Sequence, residues 1–168
     1  MRRLRSLAQG LRRLEESAAI ALVIAIAAVI NLQVFCRYVL DSPLIWPEEI
    51  SRLGLIWLTY IAAASCTARG SHVRVDTLLL ALTPSRRRGL ESVIDLILLL
   101  CFGTLAWFGW RLAGSLAGME TAAVELPMSM LIWPLVIGCA LSSFHSGARI
   151  LLRHFDEDEI TVAIGAGT

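Results

Sequence analysis

Four long apolar runs fill most of this chain, at about 17–38, 46–68, 87–113 and 127–152. A helix rises about 1.5 Å per residue, so roughly 20 residues cross the ~30 Å hydrocarbon core of a bilayer. Buried helices of soluble proteins can be as apolar. Four in succession in 168 residues, however, leave no polar faces to meet water. The composition agrees: 57% of residues are hydrophobic and 17% charged, where a soluble domain has about half and about a quarter. The expected fold is therefore all-α, an integral membrane four-helix bundle. Three regions follow: a basic segment over 1–16, a four-span membrane domain over 17–154, and an acidic, flexible tail over 155–168. The basic start resembles a signal peptide, but Asn31, Gln33, Phe35 and Arg37 end the first run where a small-residue cleavage site would stand. The first run is read as an uncleaved span.

Every cationic residue among the 15 is Arg. Twelve fall on one side: Arg2, Arg3, Arg5, Arg12 and Arg13 in the first segment, Arg69, Arg74, Arg86, Arg87 and Arg88 between spans two and three, and Arg149 and Arg153 near the end. Only Arg37, Arg52 and Arg111 fall on the other. The positive-inside rule then puts both termini in the cytoplasm. Trp46, Trp107, Trp110 and Trp133 suit the outer interface. Between spans two and three, Val75, Leu78, Leu79 and Leu82 share one helical face. The stretch 72–82 is too short to span and reads as an amphipathic helix in the inner interface. Cys36, Cys66, Cys101 and Cys139 lie in or beside apolar runs without paired spacing, as small apolar residues do.

Charges near a bilayer need partners. The densest group faces outward: Arg37 and Tyr38, Asp41 to Pro43, then Trp46, Glu48, Glu49 and Arg52. Glu48 and Arg52 stand four apart with the acid first, and both glutamates suit the first turn of a helix. Arg37 is near enough in the chain to pair with either. Such a cluster is either a local ion-pair knot or a contact for a partner subunit. Asp95 lies one to two turns inside the third span, within reach of Arg69 or Arg88. A structural ion pair or an ion site would each explain it. Asn31 and Gln33 are placed to bond across helices. Gly138, Ser142 and Ser146 form a small-residue face on the fourth span, and Pro134 would kink it. No nucleophile, metal-ligand set or second intramembrane His accompanies these residues, so no enzyme, haem or metal site is expected.

Together, several of these features resemble the small permease subunit of TRAP (tripartite ATP-independent periplasmic) transporters, the C4-dicarboxylate Q-type. The resemblance rests on Arg37 and Tyr38 ending the first span, and on Pro43, Trp46, Glu48 and Glu49 before the second. It continues through Arg52 and Trp57, Arg69 and Gly70, His72, Val73, Arg74, Val75 and Asp76, and Pro84. It implies a scaffold for a large permease subunit in ion-coupled uptake of an organic acid. A periplasmic binding protein would deliver the solute, and the bilayer would be the other partner. No substrate, cofactor or nucleic-acid site would lie in this chain. Arg37, Trp46, Glu48, Glu49, Arg52, His72, Asp76 and Asp95 become candidates for subunit contact or structural pairing. A self-sufficient homodimeric exporter is the main alternative, although the first span lacks the deep acidic residue it needs.

Overall fold

A computed structural model describes the backbone of residues 2–69, 84–121 and 124–165, and the side chains of 6–69, 89–121 and 124–153. Helix α1 runs over Arg2–Tyr38, α2 over Trp46–Ala68, α3 over Pro84–Ser115 and α4 over Trp133–Gly165. Four stretches, Ser6–Tyr38, Trp46–Ala68, Gly89–Ser115 and Met128–Arg153, are long and apolar enough to cross a membrane. The expected interfacial helix over 72–82, with His72 and Asp76, lies outside the described residues.

Helix α1 begins well before the expected start at 17. The segment before it contains no proline, and good helix formers (Leu, Arg, Gln, Glu, Ala) outnumber its Ser6 and Gly10. Its 37 residues reach about 55 Å, so the helix outruns the ~30 Å hydrocarbon core and carries its N-terminal turns beyond it. Helix α2 opens as expected, with Pro47 in the first turn and Glu48 and Glu49 beside it, where the helix dipole favours acids. Pro134 does not kink a span. The chain runs through a short 3-10 turn over Met128–Leu131, and α4 starts at Trp133, so the proline sits where its missing N–H costs nothing. Helix α4 then continues through the acidic segment to Gly165, where the sequence suggests a flexible tail.

The helices pack in the order α1, α2, α4, α3, and among the described residues α1 and α3 share no packed face. A third of the apolar window of α4 is buried but only 6% of that of α1, which makes α4 the centre of the bundle. Small residues allow this. A Cβ on Gly138 would lie 2.6 Å from the Tyr60 Cβ and 2.8 Å from the Tyr60 carbonyl oxygen, so the backbones of α2 and α4 approach closely there. Thr67, Ser142 and Ser146 are fully buried in the same seam. Ser142 donates to the Gly138 carbonyl at 2.8 Å, and Thr67 to the Ala63 carbonyl at 2.9 Å, so these hydroxyls are bonded without a cross-helix partner. Ser143 does cross, donating to the Leu99 carbonyl of α3 at 3.1 Å. Asn31 does not: it donates to the Ala27 carbonyl of its own helix at 2.7 Å.

Candidate functional site

The candidate residues separate into two clusters at opposite ends of the helices. At the outer end, the first turns of α2 meet the loop that joins α3 to the 3-10 turn. That loop is a small hairpin. Thr121 N–H donates to the Leu126 carbonyl at 2.8 Å, and Met128 N–H to the Met119 carbonyl at 2.8 Å. Thr121 also accepts the Leu126 N–H at its hydroxyl, 3.1 Å away. Glu125 turns the hairpin with a φ of 54°, in the left-handed region that costs a side-chain-bearing residue energy. The conformation is held from α2, because Glu49 Oε2 accepts the Val124 N–H at 2.8 Å.

The two adjacent glutamates therefore do different work. Glu49 faces inward and holds the hairpin. Glu48 points to the surface and accepts from Arg52 Nη2 at 3.1 Å, the expected pair four residues apart. Both members of that pair are more than half exposed, so it adds little stability. Arg37 does not join them. Its guanidinium lies 5.8 Å from the centre of the Tyr38 ring, a cation–π contact at the end of α1. Trp46 is partly exposed at the start of α2. Glu48, Glu49, Arg52 and the hairpin enclose an open cleft of ≈ 350 Å³, whose apolar wall includes Ile45, Leu126, Met128 and Met130. Ile45 is 79% exposed and both methionines are partly exposed, which leaves an adaptable apolar rim beside a surface ion pair.

At the inner end, Asp95 is buried on α3 and binds two arginines of α4. Arg149 Nη2 lies 2.6 Å from Oδ1, and Arg153 Nη1 lies 3.0 Å from Oδ2. Arg153 also meets Glu91 at 3.2 Å. Arg69 is not the partner seen for Asp95, and the Arg88 side chain lies outside the described residues. Arg69 leaves α2 for α1 instead, reaching Glu16 Oε1 at 2.9 Å, and Arg12 meets the same oxygen at 3.2 Å. Next to them, His145 Nε2 and Glu15 Oε1 are 2.9 Å apart, with both side chains almost wholly buried. Glu15, Glu16, Glu91, His145, Arg149 and Arg153 are not among the candidate site residues read from the sequence.

This inner network ties all four helices together by charge. Removing ions from water is expensive, and the cost is offset only where geometry and pairing are good. Here each buried acid has a cation or imidazole within about 3 Å. Among the described residues no three His, Cys, Asp or Glu side chains converge as a metal site. The arrangement holds helices in register at one end and presents a cleft at the other.

Residues 11–155 match the family described as tripartite ATP-independent periplasmic transporters, DctQ component. The chain is 24% identical over 147 residues to the sialic acid TRAP transporter small permease protein SiaQ of Vibrio cholerae serotype O1, covering 88% of this chain and 85% of that protein. It is also 28% identical over 101 residues to the sialic acid TRAP transporter permease protein SiaT of Haemophilus influenzae, covering 60% of this chain but only 16% of that longer protein.

Proposed function

The chain belongs to the DctQ family, the small permease component of TRAP transporters, and from that premise we propose that it braces a large permease subunit during ion-coupled uptake of an organic acid. It is a multi-pass subunit of an inner-membrane transport system. The reading as a self-sufficient homodimeric exporter is overturned by the family match over residues 11–155.

The scaffold role is supported mainly by where the polar groups lie. The ion pairs found among the described residues gather at the two ends of the helices. Between them α1 and α3 turn large apolar side chains outward, including Ile24, Val34, Leu100 and Phe108. Such helices suit lipid or another membrane subunit as neighbours, and they do not line a polar solute path. The solute proposed is a carboxylate, since sialic acid, named in both relatives, is itself an organic acid. The outer cleft beside Glu48 and Arg52 is proposed to receive a side chain of a partner protein.

The test is reconstitution. Proteoliposomes holding this chain with its large permease subunit, supplied with the binding protein and a sodium or proton gradient, should accumulate labelled organic acid. Proteoliposomes lacking this chain should not. Uptake by this chain alone, or undiminished uptake without it, would refute the scaffold role.

A further inference from the structure

A second cavity, of ≈ 140 Å³, opens at the inner end between α1, α2 and α4. Its polar lining comes from Gln9 and Arg12 of α1 and from His145 and Arg149 of α4. No carboxylate is part of that lining. The acids stand behind the cations: Glu16 on Arg12, Glu15 on His145, Asp95 on Arg149. Glu16 and Asp95 thus fix the two guanidiniums from the rear, and these leave the cavity wall rich in N–H donors. Such a wall is complementary to an anion with several acceptor oxygens. Two arginines also set the depth. Arg12 precedes the apolar run of α1, and Arg149 lies near the inner end of that of α4. This is the level of lipid headgroups.

We propose that this cavity binds the phosphodiester of an anionic phospholipid from the cytoplasmic leaflet. A free phosphate has the same oxygens, but the rest of the wall favours a lipid. Ala148 and Leu152 are apolar, and the cavity opens beside helices whose neighbours are acyl chains. Leu7 and Leu14, on the same N-terminal turns of α1, are each 66% exposed, as expected for side chains that sit against the acyl boundary. The bound lipid would join α1 to α4 where, among the described residues, the protein joins them through Glu15 and His145 and a few neighbouring contacts. Basic pockets between transmembrane helices on the cytoplasmic side are a general mode of headgroup recognition.

The experiment uses the full chain purified in a neutral detergent. Short-chain phosphatidylglycerol, phosphatidylcholine and inorganic phosphate are titrated separately, and binding is read by native mass spectrometry and by the thermal midpoint. Phosphatidylglycerol should add one lipid mass at lower concentration than phosphatidylcholine and raise the midpoint. Gln9 is exposed and outside every ion pair described, so neither Gln9→Glu nor Gln9→Lys removes an ion pair of the fold, and lipid binding is compared against each variant's own lipid-free midpoint. Gln9→Glu should weaken phosphatidylglycerol binding about fivefold, and Gln9→Lys should strengthen it by a similar factor, the effect of one charge near a membrane surface. Opposite shifts from the two variants exclude a merely structural role for Gln9. Equal binding of the two lipids, or no response to either variant, would overturn the proposal. So would an equal midpoint shift from inorganic phosphate, which would make the site one for the free ion.

Discussion

Replacing Asp95 with Asn should cost far more stability than removing a surface charge, because of what it leaves behind. The Asp95 side chain is 3% exposed and faces the Arg149 guanidinium, itself only 18% exposed, at 2.6 Å. Asparagine keeps the shape and one acceptor but removes the charge, so Arg149 stays buried without its counter-ion. Breaking a buried pair by removing one partner costs about 3–5 kcal/mol. Arg153 softens the loss, since Glu91 still holds it at 3.2 Å. The lower figure, about 3 kcal/mol, is therefore expected. For a chain of this size that corresponds to a fall of roughly 6–12 °C in the thermal midpoint. Arg52→Ala is the matched control. It removes an ion pair of similar length, 3.1 Å, whose members are 66% and 74% exposed, and should cost no more than about 1 kcal/mol. The assay is thermal unfolding in detergent, followed by intrinsic tryptophan fluorescence. Adding Arg149→Gln to Asp95→Asn should recover part of the loss, because the stranded charge is gone. An Asp95→Asn midpoint equal to that of Arg52→Ala, or a double variant less stable than the sum of its parts, would refute the view that the inner network is a buried electrostatic clamp.

Three further outcomes follow from particular contacts. Gly138→Ala should cost about 1–3 kcal/mol in the same unfolding assay, since its Cβ would lie 2.8 Å from the Tyr60 carbonyl oxygen, whereas Gly147→Ala, whose Cβ would meet only Leu99 at 3.8 Å, should be near neutral. Glu49→Ala should speed hydrogen exchange of the Val124 amide at least tenfold and lower uptake by the assembled transporter, while Glu48→Ala leaves that amide as protected as before. In a background lacking the four native cysteines, Ser42→Cys should react with a membrane-impermeant maleimide added to spheroplasts and Ser6→Cys should not; the reverse pattern would invert the orientation read from the arginines.

The spans and the first turn of α2 were legible because hydrophobic length and helix-start chemistry are local signals. Pro47, Glu48 and Glu49 announce a helix start within four residues, and the structure places them there. The partners of Asp95 were not found, because nearness along the chain suggested Arg69 and Arg88, whereas packing decides nearness across helices. A signal was nonetheless present. Glu91 and Asp95 stand four apart on one span, and Arg149 and Arg153 stand four apart on the next. When two such helices run antiparallel, the first acid meets the last arginine and the second acid the first, which are the pairs observed. Both pairs are symmetric about the same point in the α3–α4 connection. The Glu16–Arg69 pair is likewise symmetric about the short turn between α1 and α2. Charge pairs mirrored about a loop are thus readable from spacing alone in a helical hairpin. The contact of Glu15 with His145 is not, since α1 and α4 are joined through two other spans and no spacing rule fixes their register. Gly138 lets α2 and α4 approach closely, and the same α4 meets α1 at His145 further along. The small-residue face that reads as a packing feature in the sequence thus lies on the helix that carries His145, Arg149 and Arg153 to their acids.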